Sequence, residues 1–294
     1  MRVGFIGIGL MGLPICQRLL HAGIDLQVWN RDHSKTIPLC QAGARAAASP
    51  RELAATVDVL LICVSDSAAV TAVFHGPDGV LRGAHAGLIV VDHSSITPDI
   101  TRQVAAELQA QCGAHWIDAP VSGGVAGAEQ GRLVIMAGGD ASSIATLSPL
   151  LCHYSQRITR MGDVGAGQVT KICNQLIVAA NSLLIAETVA LAEQAGVDAN
   201  LLAPALAGGF ADSLPFQILT PRMAERRFEP VQWKVQTLLK DLGNAVALGQ
   251  ASASPLPLAT AARRLLQTHA DAGYASADLS SVILLHDSTP REAR

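Results

Sequence analysis

Charge is scarce in this chain. Lys, Arg, Asp and Glu supply 15% of its 294 residues, and the formal net charge is −3. That balance gives no general attraction to nucleic acid or to an anionic membrane, so any basic site must be local. The six cysteines (Cys16, Cys40, Cys63, Cys112, Cys152 and Cys173) include no C-x-x-C pair, and most fall inside apolar helix or strand patterns. They read as small core hydrophobes of a reduced compartment, not as a disulfide framework. The nine histidines show no H-x-x-x-H spacing, no nucleophile elbow occurs, and no metal site is supported; His93 and His115 read as structural. Internal repeats and low-complexity tracts are absent too. No targeting segment is apparent ahead of the first strand. The most apolar stretch, 172–192, carries Asn174, Gln175, Asn181 and Glu187 and follows Lys171, more polar groups than a membrane span tolerates. A cytoplasmic protein without nucleic-acid or membrane partners is expected.

Hydrophobic residues make up half of the chain, enough for a large core in one large domain or two of ordinary size. The most informative stretch is the first. Arg2-Val3-Gly4-Phe5-Ile6 is an apolar run of strand type, Gly7-Ile8-Gly9-Leu10-Met11-Gly12 follows at once, and residues 13–22 read as a helix closed by Gly23. In this frame G-x-G-x-x-G points to a dinucleotide. The first glycine permits the tight turn, the second lets backbone approach a pyrophosphate, and the third lets helix meet strand. The phosphates then rest on N–H groups at the positive helix end. The second strand ends in Asn30-Arg31, where NAD readers usually carry an acid for the ribose 2′-hydroxyl. Asn30 does not repel a 2′-phosphate, Arg31 can pair with it and stack on adenine, and Lys35 is a second cation. NADP is favoured on these grounds. Asp32, slightly late for the role, leaves NAD open.

The first half alternates apolar runs with helical stretches, the signature of a doubly wound sheet. Strands are predicted over 3–7, 25–29, 57–64, 88–92, 115–118, 133–137 and 156–160. The run 57–64 is nearly continuous in apolar residues, as a strand buried on both faces should be. The character changes at Gly162-Asp163-Val164-Gly165-Ala166-Gly167. A helix over 168–194, stopped at Gly196, follows, and the remainder is helical in pattern. The expected fold is therefore α/β: a Rossmann-type doubly wound sheet, 1–162, joined by a long helix to an all-α domain, 163–294. The end, 286–294, is polar and expected to fray.

Four further clusters carry chemistry. Ser65-Asp66-Ser67 and Asp92-His93-Ser94-Ser95-Ile96-Thr97-Pro98 follow apolar strands, where ligand crevices form. Ser65, Asp66 and Ser95 are candidate cofactor contacts, with helix capping as the bland alternative. Asp118-Ala119-Pro120-Val121-Ser122-Gly123-Gly124 ends another strand; the Ser122 hydroxyl and the bare backbone of Gly123 and Gly124 suit a small carboxylate. Lys171 lies on the long helix with Asn174 at i+3 and Gln175 at i+4, on one face. A lysine in an apolar stretch is costly, and desolvation lowers its pKa, so it can give and take a proton near neutrality. Lys240-Asp241-Leu242 lies in a later helix, with Lys240 a candidate cofactor contact.

Together these clusters resemble the β-hydroxyacid dehydrogenase family, over nearly the whole chain. The resemblance rests on Gly7 to Pro14, Asp118 to Gly124, Gly165-Ala166-Gly167-Gln168-Val169-Thr170-Lys171-Ile172-Cys173-Asn174, and Lys240-Asp241-Leu242. It implies that Lys171 is the catalytic lysine and that Ser122, Gly123 and Gly124 hold the substrate carboxylate with Asn174 as anchoring partner. It also implies that Lys240 binds cofactor and that Ser95 stands where the family often has threonine near the nicotinamide. Gln175 replaces a frequent asparagine, and the longer amide reshapes the substrate pocket. Leu206-Ala207-Gly208-Gly209-Phe210-Ala211-Asp212-Ser213 is closer to the tartronate semialdehyde (2-hydroxy-3-oxopropionate) reductase branch than to the 3-hydroxyisobutyrate branch. The related imine reductases have usually lost the lysine. The function implied is hydride transfer between NADP, or NAD, and a small carboxylate-bearing β-hydroxy acid or semialdehyde, in a homodimer or homotetramer. Alternatives are a reductase of another carbonyl acid, such as succinic semialdehyde or glyoxylate, and a non-catalytic NADP-binding regulator.

Overall fold

A computed structural model describes residues 1–287; the rest of the end expected to fray lies outside the described residues. The chain separates into two compact units, Met1–Lys171 and Ile172–Arg294.

The first unit is built on nine strands: β1 Val3–Ile6, β2 Leu26–Trp29, β3 Arg45–Ala46, β4 Val59–Ile62, β5 Ile89–Asp92, β6 His115–Asp118, β7 Val121–Ser122, β8 Leu133–Gly138 and β9 Ser155–Gly162. Their order across the sheet is β3-β2-β1-β4-β5-β6-β8-β7, with β9 beside β8. Strands β1 to β6 are mutually parallel in the 3-2-1-4-5-6 order of a dinucleotide fold. The sheet is not wholly parallel, however: β8 runs antiparallel to β6 and β7.

All residues of β1 and β4 are buried because both faces of the sheet are covered. The two-residue period decides which core each enters. Phe5 and Leu61 join Ile15 and Leu19 of helix α1 (Gly12–His21) on one face. Ile6, Leu60 and Ile62 join Leu53, Phe74 and Leu108 on the other. The connecting helices are α2 Ile37–Gln41, α3 Pro50–Thr56, α4 Ser67–His75, α5 Pro98–Cys112, α6 Gly124–Gln130 and α7 Ala141–Leu151. Because β1, β4, β5 and β6 are parallel, the segments after Ile6, Ile62, Asp92 and Asp118 all leave at the carboxyl ends of the strands, on the same side of the sheet.

Helix α8, Ala166–Gln194, starts in the first unit and ends before Gly196, whose φ of 81° stops it. By length and composition it would reach across a membrane. Its Ala179, Leu183, Ala186 and Val189 are nevertheless buried in the second unit's core with Phe216, Leu238, Leu242 and Leu266. The other helices there are α9 Leu202–Leu206, α10 Leu214–Ala224, α11 Val235–Ala251 and α12 Pro257–His269. Among its described residues no strand forms; pairing is limited to one bridge, Lys234 with Asp278. Of the cysteines, Cys16 is buried, but Cys152 and Cys173 are exposed rather than core residues.

Candidate active site

The three glycines of the first turn differ in what denies them a side chain. At Gly7, with φ of 102°, a Cβ would lie 2.1 Å from the Cys63 carbonyl; at Gly12 it would lie 2.0 Å from the Gly7 carbonyl. Those two are demanded by strand-to-strand and helix-to-turn contact. At Gly9 a Cβ would meet nothing within 4 Å. No contact among the described residues demands glycine there, and a pyrophosphate against the backbone fits that space. Helix α1 begins here with no side-chain cap and no acid in its first turn, which leaves its positive end suited to an anion. Ile8 is buried, while Leu10 is exposed and Met11 half-buried.

Asn30 Oδ1 accepts from Ile8 N at 2.9 Å, and its Nδ2 donates to the Asp32 carbonyl at 2.9 Å. This amide thus braces the glycine turn against the end of β2. The Asp32 carboxylate accepts from Ser34 N and Oγ, bonds that hold it below the usual carboxylate range. Arg31 and Lys35 are exposed on the same segment. After β4, Ser65 donates to Asp66 Oδ2 at 2.7 Å, and Asp66 Oδ1 caps α4 by accepting from Ala69 N at 2.8 Å. The capping reading therefore applies to Asp66.

The segment after β5 turns inward. Asp92, His93 and Ser94 are buried and Ser95 half-buried. Asp92 Oδ1 accepts from Ser94 N at 2.9 Å, while its Oδ2 finds no hydrogen-bond partner among the described residues. Burial pushes this carboxyl up to about 7, with the Asp118 charge adding to it. His93 Nδ1 donates to the Ala119 carbonyl at 2.6 Å, so Nε2 accepts from the Tyr154 hydroxyl at 2.8 Å. Burial holds this imidazole down to about 4, so His93 is a neutral structural brace.

Strand β7 ends in half-buried Ser122, and Gly123 and Gly124 follow at φ of 128° and 62°. Both backbones sit in the left-handed region and carry no side chain over their N–H groups. Asp118, at the end of β6, reaches the start of α8: its Oδ1 accepts from Gly165 N at 2.7 Å and its Oδ2 from Gln168 N at 2.9 Å. Burial raises its pKa, and these N–H donors oppose the rise. Gln168 is buried too, with Nε2 donating to the Ser94 carbonyl at 2.8 Å and Oε1 accepting from Ile96 N at 3.2 Å. One turn further on lies half-buried Lys171. Sequence reasoning assigned no part to Asp118 or Gln168. Their available signals were an acid closing an apolar strand and an amide opening an apolar helix.

In the second unit, half-buried Asn174 donates through Nδ2 to buried Gln175 Oε1 at 2.8 Å, and Gln175 Nε2 donates to Asp241 Oδ2. Lys240 Nζ lies 3.2 Å from Asp241 Oδ1. Asn174, Gln175, Asp241 and Lys240 therefore form one polar chain linking α8 to α11. The Gln175 amide has both ends engaged within the protein.

Residues 2–162 match the NAD binding domain of 6-phosphogluconate dehydrogenase, and residues 165–286 match the NAD-binding domain of NADP-dependent 3-hydroxyisobutyrate dehydrogenase. The chain is 35% identical to 2-hydroxy-3-oxopropionate reductase of Escherichia coli, over 96% of each chain. It is 34% identical to NAD-dependent L-serine dehydrogenase of Pseudomonas aeruginosa, over 98% of each. The crystal structure of 3-hydroxyisobutyrate dehydrogenase from Salmonella typhimurium superposes with a TM-score of 0.86 at 32% identity, covering 97% of this chain and 99% of that one.

Proposed function

The chain belongs to the β-hydroxyacid dehydrogenase family, as an oxidoreductase that uses a nicotinamide cofactor, and we propose that it moves hydride between NADP and a small β-hydroxy acid or its semialdehyde. The activity it most resembles is that of 2-hydroxy-3-oxopropionate reductase or 3-hydroxyisobutyrate dehydrogenase. The observation that carries this reading is the place of Lys171: half-buried, on the second turn of a helix whose first turn is bonded to Asp118 at the end of β6 and to the segment after β5. The glycine turn would hold the cofactor by its pyrophosphate, and the cofactor would supply or accept the hydride. Lys171 gives the carbonyl oxygen its proton in reduction and takes the hydroxyl proton in oxidation. Ser122 and the N–H groups of Gly123 and Gly124 hold the substrate carboxylate, and Asn174, one turn from Lys171 on the same helix, anchors the substrate. Gln175 acts on the pocket by orienting Asn174. Ser65, Asp66, Ser95 and Lys240 complete the cofactor contacts.

NADP over NAD is supported by the uncharged Asn30, by the commitment of the Asp32 carboxylate to Ser34, and by exposed Arg31 and Lys35 nearby. We assign cofactor binding to 1–162 and substrate binding and dimerisation to 163–294, in a homodimer or homotetramer. The free thiols suit a reducing, cytoplasmic compartment.

The test follows absorbance of the reduced nicotinamide with a panel of hydroxy acids and semialdehydes, for NADP and NAD in turn. Turnover on at least one of them is expected, with NADP the better cofactor. Lys171→Ala should cut it by about 100-fold or more. Wild-type turnover in that variant would remove the proton-transfer role, and equal rates with both cofactors would remove the NADP preference.

A further inference from the structure

We propose that Gln168 is a positioning residue: its side-chain amide sets the register of Lys171 against the segment that carries Ser95. The inference rests on the reading above of Lys171 as proton donor.

The start of α8 is fixed to the sheet by groups that leave little slack. Asp118 receives the Gly165 and Gln168 N–H groups. A Cβ at Gly167 would lie 2.4 Å from the Met136 carbonyl and 2.6 Å from that of Asp118, so the first turn lies directly on backbone. From this turn Gln168 reaches across to the segment after β5. It donates to the carbonyl of Ser94 and accepts from the N–H of Ile96, the two residues flanking Ser95. Only one orientation of the amide satisfies both partners, because a carbonyl cannot donate and an N–H cannot accept. The same segment is held from behind, where Ser94 Oγ accepts from Val64 N at 3.0 Å and Asp92 Oδ1 accepts from Ser94 N at 2.9 Å. The segment against which Gln168 sets the helix is therefore itself held in place.

An apolar side chain at 168 would fill the same volume, and a buried amide is unfavourable unless both its ends are paired. What the amide adds is direction. Two bonds to the flanks of Ser95 fix the distance between that residue and the next helical turn at the scale of a hydrogen-bond length. Lys171 lies on that turn, at i+3. Proton and hydride transfer depend on placement at this scale, where a shift of about 1 Å lowers a rate by about 100-fold.

Two variants of the full chain test this. Gln168→Leu should lower kcat by about 30-fold while the KM and the NADP dissociation constant, read by cofactor fluorescence, stay within about threefold. In Gln168→Glu the carboxylate can still accept from Ile96 but presents no proton to Ser94; once protonated it restores both bonds. Burial beside Asp118 raises that glutamate's pKa. Its kcat relative to wild type should then climb by about tenfold from about pH 8.5 to about pH 6, while the Leu variant's ratio stays level. Wild-type kcat in Gln168→Leu, a loss that follows cofactor affinity, or a level ratio for Gln168→Glu would overturn the proposal. If the Leu variant does not fold, the Glu profile decides alone. Lys171→Ala separates the two readings. An inactive Lys171→Ala beside an unaffected Gln168→Leu sinks only the positioning role. Full turnover in Lys171→Ala, or none in the wild type, sinks both.

Discussion

Asp92 is a carboxyl group with one oxygen bonded to Ser94 N and the other, buried, without a hydrogen-bond partner among the described residues. Its pKa stands at about 7 in the folded chain against about 4 in the unfolded one. Between those values the native state holds a proton that the unfolded state has released. Its contribution to stability is complete below the unfolded value and is lost as pH rises through about 7. His93 acts the other way, since with a folded pKa near 4 its contribution grows as pH rises towards the unfolded value. In weak acid the two oppose each other; above neutrality only the penalty on Asp92 persists. Asp92→Asn keeps the Ser94 bond and removes the charge. Its thermal midpoint should exceed that of the wild type at about pH 8.5, with the advantage shrinking towards about pH 5. A difference independent of pH would mean that Asp92 is not the group responsible. Such burial was not legible from the sequence. Of this loop only His93 reads there as structural; Asp92 and Ser94 read as part of a polar segment where a ligand crevice forms, because a sequence does not say which way a loop folds back.

The glycine turn is the element where sequence and structure agree most closely, because steric demand leaves few residues to choose from. It also yields a split prediction. Gly12→Ala forces a Cβ against the Gly7 carbonyl and should cost about 1–3 kcal/mol of stability. Gly9→Ala places its methyl in open space, so the thermal midpoint should hold while the NADP dissociation constant rises by about tenfold, as a methyl intrudes where backbone must approach phosphate. Thermal melts and cofactor titration read both; a destabilised Gly9→Ala that binds NADP normally would reverse the assignment. Other elements were less legible, for identifiable reasons. Strands β3 and β7 span two residues each, too short to show a period. Alternation along β8 reads the same in either direction, so its antiparallel pairing left no trace in the sequence. Helix α8 starts at Ala166, two residues before the predicted start, because its cap comes from Asp118 on a distant strand rather than from a neighbouring side chain.

At the scale of the whole molecule, the question is what α8 does with the apolar surface that its own unit does not bury. Large apolar residues recur on more than one side of it, which hides from the sequence the face that turns inward. The structure separates the faces. Ala179, Leu183, Ala186 and Val189 are buried, whereas Ile177, Leu184 and Leu191 are 59%, 60% and 69% exposed. The exposed three recur every seven residues and so form one seam along the helix. Large aliphatic side chains left in water along a single seam favour association, by about 25 cal/mol for each Å² they remove from solvent. A second copy of the chain presents the same seam, as a twofold interface requires. If the proposed dimer or tetramer forms through this seam, Leu184→Glu, at its middle, puts a charge where apolar contact would form and should shift the protein to monomer in sedimentation velocity, with the thermal midpoint falling as the partner is lost. A wild-type chain that sediments as a monomer, or a Leu184→Glu variant with unchanged mass, would mean that this seam is not where the copies meet.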